Sequence, residues 1–220
     1  MIRISVPATS ANLGIGYDTL GMAVSLYSHF TFERAERLTI TGCPEQFQNE
    51  DNLVYVSLVD ALAEWGEKPF GVAIDIQTDV PVARGLGSSS TCVVAGIMAA
   101  AALTGHTVTR EELVAMATRV EVHTSDARKV VPQQVPLSSA VWQMGRIAGL
   151  TRGLETGDTA LIADANDDRI QEPYRRALIP DYGAIRETCL EGGAATMWIS
   201  GSGSTLMAVT DDTIVAKFLQ

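Results

Sequence analysis

The hydrophobic and polar residues of this chain follow two periods, one of two residues and one close to that of an α-helix. Short segments that alternate or are bounded by turns are predicted to be strands, at residues 2–6, 26–33, 38–41, 72–78, 195–200 and 206–210. Longer segments with helical spacing, or with almost only small and apolar residues, are predicted to be helices, at residues 53–65, 91–103, 111–123, 137–154 and 182–192. The first three strands are expected to lie in an antiparallel sheet.

A loop rich in glycine and serine joins the predicted strand 72–78 to the predicted helix 91–103. Gly85 and Gly87 allow positive φ and let a ligand approach the backbone. The serines at 88–90 add hydroxyl groups beside the N–H groups of the first helical turn, which have no partner within a helix. With the positive end of the helix dipole, these donors suit the phosphates of a nucleotide. The loop is therefore a candidate phosphate-binding loop.

Three other functions of this loop are less well supported by its residues, and one purely structural role explains them equally well. No Gly-Lys-Ser or Gly-Lys-Thr closes it, as a Walker A loop would require, and Ser90 stands where a dinucleotide fingerprint has its third glycine. No Gly-x-Ser-x-Gly pentapeptide occurs here or around Ser202, which disfavours a hydrolase. For the loop alone, a glycine-rich helix start with ordinary serine caps explains the residues as well.

Two further glycine-rich segments lie near the ends of the chain. The first is Pro-Ala-Thr-Ser-Ala-Asn-Leu-Gly at 7–14 with Gly-Tyr-Asp-Thr-Leu-Gly at 16–21, and the second is Ile-Ser-Gly-Ser-Gly-Ser-Thr at 199–205. In this order around the central loop, they make the chain resemble the GHMP small-molecule kinases. Thr-Ser-Asp-Ala-Arg-Lys-Val-Val-Pro at 124–132 and Glu-Pro-Tyr-Arg at 172–175 make it similar, more narrowly, to the homoserine kinases of that superfamily.

The resemblance implies an α+β fold of the GHMP-kinase type with two lobes. The N-terminal lobe, residues 1–132, would carry the ATP-binding loop and resemble the ribosomal protein S5 domain 2-like fold. The C-terminal lobe, residues 133–220, would be a helix-covered antiparallel sheet. The boundary is expected in the stretch 132–136, which begins and ends with proline.

Two departures from the family pattern concern missing segments. Family members follow the helix that contains Glu121 with a Gly-His-Pro-Asp-Asn segment and several dozen further residues, whereas here His123 runs directly into Thr124. The absent block normally supplies an asparagine near the substrate, so the homoserine contacts are expected to be incomplete and the sheet short of strands. The chain also ends at Gln220, soon after the third motif, where relatives continue.

ATP and Mg²⁺ are the cofactors that the resemblance implies. By its surroundings alone Glu121 is more simply a solvated glutamate, but the family carries a magnesium-binding glutamate two residues before a histidine, as Glu121 precedes His123. Ser89 would add a second protein oxygen, since Mg²⁺ takes oxygen ligands and keeps waters and phosphate oxygens for the rest. The residues implied in ATP binding are Pro81, Arg84, Gly85, Leu86, Gly87, Ser88, Ser89 and Ser90.

L-homoserine is the small-molecule substrate that the resemblance implies, and it carries a carboxylate, an ammonium group and a hydroxyl. Arg128 and Arg175 match the family positions that clamp the carboxylate, Asp18 would pair with the ammonium, and Asn12 is the polar guide. The arginines would otherwise sit in weak surface ion pairs, and the neighbouring Arg176 competes with Arg175 for the role. Asp18 and Asn12 would otherwise be turn residues.

Composition narrows the class of partner. A chain of 220 residues that is 46% hydrophobic is long enough to bury a sizeable core. Its net charge of -10 disfavours nucleic acids and anionic membranes as partners, so any phosphate site must be local. The three cysteines form no Cys-x-x-Cys pair, and no apolar run is long enough to span a bilayer. A cytoplasmic protein is expected, and a homodimer is left open.

The predicted activity is transfer of a phosphoryl group from ATP to the hydroxyl of homoserine, on the route to threonine. Phosphoryl transfer depends on positioning and charge neutralisation more than on a strong base, and no catalytic residue is assigned. One alternative is a GHMP kinase for another small alcohol, such as mevalonate or a sugar, against which Arg128 in its Thr-Ser-Asp-Ala-Arg context argues. A second alternative is a nucleotide-binding homologue whose catalysis is impaired by the missing block.

Overall fold

The computed structural model describes residues 1–120 and 126–211. Its strands are β1 (Ile2–Ala11), β2 (Gly21–Arg34), β3 (Thr39–Thr41), β4 (Val72–Thr78), β5 (Thr196–Ile199) and β6 (Leu206–Val209). Its α-helices are α1 (Leu53–Glu64), α2 (Ser88–Thr104), α3 (Arg110–Arg119), α4 (Asp126–Lys129), α5 (Leu137–Thr156), α6 (Thr159–Ala165), α7 (Glu172–Arg175) and α8 (Tyr182–Glu191). Short 3₁₀ helices lie at Glu45–Phe47 and Arg176–Leu178.

Residue contacts divide the chain into two compact units. The first contains Met1–Thr9, Ala23–Ala83 and the described residues of 87–123, and the second contains Ser10–Met22, Arg84–Leu86 and the described residues of 124–220. Both units are assembled from segments that are distant in sequence. The domain division at residues 132 and 133, made from the sequence, stays a prediction.

The first unit is built on a four-stranded sheet in the order β1-β2-β4-β3. β2 and β4 are antiparallel, with Phe30 opposite Ile76 and Phe32 opposite Ile74. β3 runs parallel to β4, so the expectation that the strand at 38–41 belongs to an antiparallel sheet is wrong. The reason is the connection: α1 lies between β3 and β4 in the chain, and a crossover through a helix returns the chain in the same direction.

The core of the first unit lies between one face of this sheet and the helices α1 and α2. Alternation along β2 buries Phe30 and Phe32, which pack with side chains such as Leu58 of α1 and Ile97 of α2. Fully burying a large apolar side chain contributes about 1.5–3 kcal/mol, so this cluster supplies much of the unit's stability. Gly96 lets the backbones of α1 and α2 approach, because a β-carbon there would overlap the Val54 carbonyl oxygen.

The second unit packs helices with the hairpin of β5 and β6, which are antiparallel. Leu13 and Ile15, from the segment that follows β1, are buried with Leu150 of α5, Ile162 of α6 and Trp198 of β5. The glycine-rich segment at 7–21 therefore contributes apolar side chains to this core through its Leu-Gly-Ile sequence.

The predicted elements are confirmed in type, and their ends shift by a few residues. β1 and β2 are longer than predicted, α2 begins three residues earlier at Ser88, and α3 ends at Arg119. The predicted helix at 111–123 reaches residues outside the described part of the chain. The short helices α6 and α7 were not predicted, since fewer than two turns show no clear period. Within residues 1–120 and 126–211, no helix is both long and apolar enough to cross a membrane.

Replacing Gly96 tests the close packing of α1 on α2. Gly96→Ala is expected to destabilise the protein by about 1–3 kcal/mol, because the added methyl group overpacks the helix contact. Gly145→Ala is the matched control: a β-carbon at this position of α5 meets no atom within 4 Å, so improved helix propensity should stabilise the protein by up to about 1 kcal/mol. Thermal unfolding followed by circular dichroism measures both, and an unchanged Tm for Gly96→Ala would contradict the packing described.

Candidate functional site

Parts of all three glycine-rich segments meet in the second unit. The Ser200 hydroxyl donates to the Gly85 carbonyl oxygen at 2.6 Å and lies 3.0 Å from the Ser10 hydroxyl. Backbone bonds add to this contact, since the Gly201 N–H donates to the Ala11 carbonyl and the Thr205 N–H donates to the Arg84 carbonyl. The three glycine-rich motifs, which lie far apart in the sequence, therefore form one cluster of turns in the folded chain.

Two of the glycines in this cluster are required by their surroundings. Gly85 has a φ of +80°, and a β-carbon there would overlap the Ser200 carbonyl oxygen. Gly201 has a φ of +57°, with its Cα face directed at the Gly85 carbonyl oxygen. A side chain at either position would strain the backbone; at Gly85 it would also clash with the Ser200 carbonyl, and at Gly201 it would press on the Gly85 carbonyl, so the two turns are closely packed.

The predicted substrate residues Asn12, Asp18 and Arg128 are brought together in the same unit. Arg128 donates two bonds to the Asp18 carboxylate, at 3.0 and 3.2 Å, and both side chains are about half exposed. The buried Asn12 side chain accepts from the Asp18 N–H at 3.1 Å and donates to the Gly201 carbonyl oxygen at 2.9 Å. Asn12 thus joins the Asp18 turn to the third glycine segment.

Arg175, the fourth predicted substrate residue, reaches the same carbonyl oxygen from α7. Its Nη1 donates to Gly201 at 2.9 Å and its Nε donates to the Ala127 carbonyl oxygen at 2.9 Å. Only 3% of the residue is exposed, so the alternative of a surface ion pair is wrong for Arg175. Its neighbour Arg176 points elsewhere, 3.7 Å from the Glu172 carboxylate, which distinguishes the two arginines.

The serines of the central loop form the first turn of α2 in the first unit. Gly87 is the N-cap residue, with a φ of +69°, and no side chain caps the helix start. A β-carbon at Gly87 would overlap the Thr9 hydroxyl, so glycine is needed there. Ser88 and Ser89 are half-buried and Ser90 is exposed. Because the cap has no side chain, the alternative of ordinary serine caps is not what this helix uses.

The remaining loop residues, Pro81 and Arg84, are exposed, and Leu86 is half-buried. Of the two predicted magnesium ligands, Ser89 lies in the first turn of α2, and Glu121 lies outside the described residues. Among residues 1–120 and 126–211, no group of three or more His, Cys, Asp or Glu side chains is arranged to hold a metal ion. The predicted Mg²⁺ site would take only one carboxylate and one hydroxyl from the protein, so it does not require a group of that kind.

Buried polar residues around α7 were not predicted from the sequence. Asp168, Gln171 and Glu172 are at least 95% buried, as is Gln143 of α5. Periodicity gives no signal for them, because polar residues in a polar segment are normally exposed. Only the Glu-Pro-Tyr-Arg motif at 172–175, noted for its resemblance to the family, indicated this region.

Burial changes the acid–base properties of two of these groups. It raises the pKa of the Glu172 carboxyl, although an N–H bond from Ile199 and the charge of Arg176 oppose the change. It lowers the pKa of the Arg175 guanidinium, which nevertheless stays protonated at neutral pH. Arg175 is therefore a buried positive charge whose partners are mostly carbonyl and amide oxygens.

A cavity of about 850 Å³ lies along α8 in the second unit. Its walls carry both signs of charge and include Arg176, Arg186 and Glu187. None of the predicted site residues that the structure describes lines it, so it is separate from the cluster of turns.

Comparison with known proteins assigns both parts of the chain to one family. The model of the GHMP kinases N terminal domain matches residues 52–131, and the model of the GHMP kinases C terminal region matches residues 150–220.

Relatives with high coverage are described as homoserine kinases. The homoserine kinase of Clostridium botulinum (strain 657 / Type Ba4) is 34% identical over 255 aligned residues, which cover 95% of this chain and 86% of that protein. The homoserine kinase of Clostridium beijerinckii is 34% identical over 259 residues, covering 96% of this chain and 87% of the relative. Both alignments are longer than the chain itself, so these relatives contain residues that have no counterpart here. That agrees with the predicted missing block, whose expected position after His123 lies outside the described residues.

Solved structures agree on the fold. The crystal structure of homoserine kinase from Cytophaga hutchinsonii superposes with a TM-score of 0.82 at 29% identity, covering 98% of this chain and 87% of that one. Phosphomevalonate kinase from Streptococcus pneumoniae, solved with phosphomevalonate and AMPPNP, superposes with a TM-score of 0.67 at 13% identity, covering 100% of this chain and 95% of the other. The α+β fold of the GHMP type is therefore confirmed.

By its two matched regions, its relatives and its fold, the chain belongs to the GHMP kinase family.

Proposed function

We propose that the protein is a homoserine kinase, which transfers the γ-phosphoryl group of ATP to the hydroxyl of L-homoserine and yields O-phosphohomoserine for threonine biosynthesis. The similarity to homoserine kinases over 95% of the chain supports this substrate. So does the superposition on the Cytophaga hutchinsonii enzyme.

The observation that carries the proposal is the pair of opposite charges at Asp18 and Arg128. An amino acid presents an ammonium group and a carboxylate close together, which is the complement of this pair. Exposed ion pairs contribute only about 0–1 kcal/mol, so a zwitterion that replaces each partner separates them at little cost. A sugar or mevalonate has no ammonium group for Asp18, which favours homoserine over the alternative alcohols.

In this proposal, Arg128 binds the carboxylate of homoserine through its two-donor fork. Asp18 binds the ammonium group, and Asn12 holds the Asp18 turn through the bond from the Asp18 N–H. Among the described residues, Arg175 bonds to protein acceptors through Nε and Nη1, so its Nη2 is the nitrogen that would reach the substrate. Arg175 thereby combines a binding role with a structural one.

ATP binding is proposed at the central loop. The N–H groups of Ser88, Ser89 and Ser90 begin a 17-residue helix whose N-terminus has no side-chain cap. These donors and the helix dipole suit phosphate oxygens. Ser89 and Glu121 would hold Mg²⁺, whose chemistry is to neutralise charge on the phosphate oxygens. No base is proposed, because alignment and charge neutralisation carry most of the catalysis in phosphoryl transfer.

A nucleotide-binding homologue with impaired catalysis is the second candidate, favoured by alignments that are longer than the chain. Two measurements on the purified protein separate the candidates: ADP release in the presence of homoserine, and ATP binding by calorimetry. The proposal expects ADP release that depends on homoserine and not on mevalonate. ATP binding without turnover of any alcohol would favour the second candidate.

Replacing Arg128 tests the amino-acid site. Arg128→Ala is expected to raise the KM for homoserine about tenfold or more, since a hydrogen bond to a charged group contributes about 1.5–3 kcal/mol. The KM for ATP should change little. Arg152→Ala is the control, because Arg152 is an exposed arginine of the same unit that pairs with Glu155. Equal losses for both substrates would indicate that Arg128 has only a structural role.

Replacing the proposed magnesium ligands tests the nucleotide site. Ser89→Ala should lower kcat/KM for Mg·ATP, and Glu121→Gln should lower it further, because each removes one of the few protein oxygens available to the metal. Ser138→Ala is the matched control, since Ser138 is the second residue of α5 as Ser89 is of α2. Steady-state kinetics at varied Mg²⁺ checks this, and unaltered turnover in both variants would refute the metal assignment.

A further inference from the structure

A buried amide joins two parts of the proposed amino-acid site. Gln171, whose side chain is fully buried, precedes α7. Its Nε2 donates to the Gly14 carbonyl oxygen at 2.9 Å, and its Oε1 accepts from Arg175 Nη1 at 2.8 Å. One side chain therefore contacts both the turn that leads to Asp18 and the guanidinium that reaches Gly201.

The position of Gln171 is itself fixed by a buried carboxylate. Asp168 accepts from the backbone N–H groups of Ile170, Gln171 and Glu172, which sets the start of α7. Asp168 also accepts from Gln143, whose Nε2 donates in addition to the Ile15 carbonyl oxygen at 2.6 Å. The network thus ends on two consecutive carbonyl groups, those at residues 14 and 15.

The geometry of Arg175 makes Gln171 more than a packing residue. Nη1 has two hydrogens, one of which goes to Gly201 and the other to Gln171. Without Gln171, a buried N–H of a charged group has no acceptor, and rotating the guanidinium toward another one would also disturb the bonds to Ala127 and Gly201. The direction of Nη2, the nitrogen left for substrate, depends on this arrangement.

We propose that Gln171 is a positioning residue of the amino-acid site, which fixes the guanidinium of Arg175 and the turn between Gly14 and Asp18. It acts through Arg175 and this turn, without touching the substrate. The inference rests on the proposed homoserine kinase function for its kinetic consequence. Its structural consequence is independent of the substrate, so the two are tested separately.

The substrate-independent test measures amide hydrogen exchange in the ligand-free protein. The N–H groups of Asp18, Thr19 and Leu20 are bonded to acceptors within the turn, at Asn12 and Gly16. Gln171→Met keeps the volume of the side chain but removes both bonds, so exchange at these three residues should become faster. Exchange in α1 and α2 should stay unchanged.

The kinetic test compares the two substrates. Gln171→Met is expected to raise the KM for homoserine about tenfold, with little change in the KM for ATP, as for the loss of a hydrogen bond to a charged group. Gln171→Glu keeps an acceptor for Arg175 and loses the donor to Gly14, so the KM should recover in part while fast exchange at Asp18 remains. This partial rescue separates orientation of the guanidinium from general loss of stability.

Asn52→Ala is the matched control. Asn52 is also a buried amide that bridges two backbone groups, because it accepts from the Val54 N–H and donates to the Phe47 carbonyl oxygen. It lies in the first unit, so its loss should speed exchange at the start of α1 and leave the KM for homoserine unchanged.

Two results would overturn the proposal: unchanged exchange at Asp18, Thr19 and Leu20 in Gln171→Met, or equal increases in both KM values. If the wild-type protein binds ATP but does not phosphorylate homoserine, the proposed function fails. The exchange measurement then still decides whether Gln171 positions the turn and Arg175.

Discussion

The carbonyl oxygen of Gly201 is the acceptor on which the candidate site depends. It receives a bond from Asn12, which follows β1, and another from Arg175, which ends α7. Three segments separated by up to 189 residues in sequence are thereby held at one atom. The turn that presents this oxygen has a φ of +57° at Gly201, a backbone conformation that glycine adopts without steric strain.

The burial of Arg175 explains much of the surrounding chemistry. A buried guanidinium must be bonded to acceptors, because removing it from water without them costs several kcal/mol. Here the acceptors are two backbone carbonyl groups and the amide of Gln171. Arg128 lies at the other extreme, half exposed and paired with Asp18, and an ion pair in that environment is easily exchanged for a ligand. In the proposed site, Arg175 is therefore part of the buried framework, and Arg128 is the arginine that a ligand would contact.

The relatives are homoserine kinases, and they differ from this chain in length. The alignments with family members are longer than this chain, whose three glycine-rich turns meet in the second unit and are joined by hydrogen bonds. Each unit buries its own apolar cluster, with Phe30 and Phe32 in one and Ile15 and Trp198 in the other. The contacts that form the proposed amino-acid site lie within the second unit, so their geometry is set by that unit's own packing.

Local patterns in the sequence determined the strands, the longer helices and the glycine-rich turns, because alternation, helical period and positive φ are properties of neighbouring residues. They also carried the resemblance to the family and the four candidate substrate residues. The parallel direction of β3 followed from a crossover that no local period records. The choice of partners was likewise decided by tertiary structure: Arg128 pairs with Asp18 across 110 residues, and Arg175 rather than Arg176 turns toward Gly201. The local sequence around Gln171 and Asp168 gives no sign of burial, and only the folded chain shows that they are buried and which carbonyl and N–H groups they satisfy.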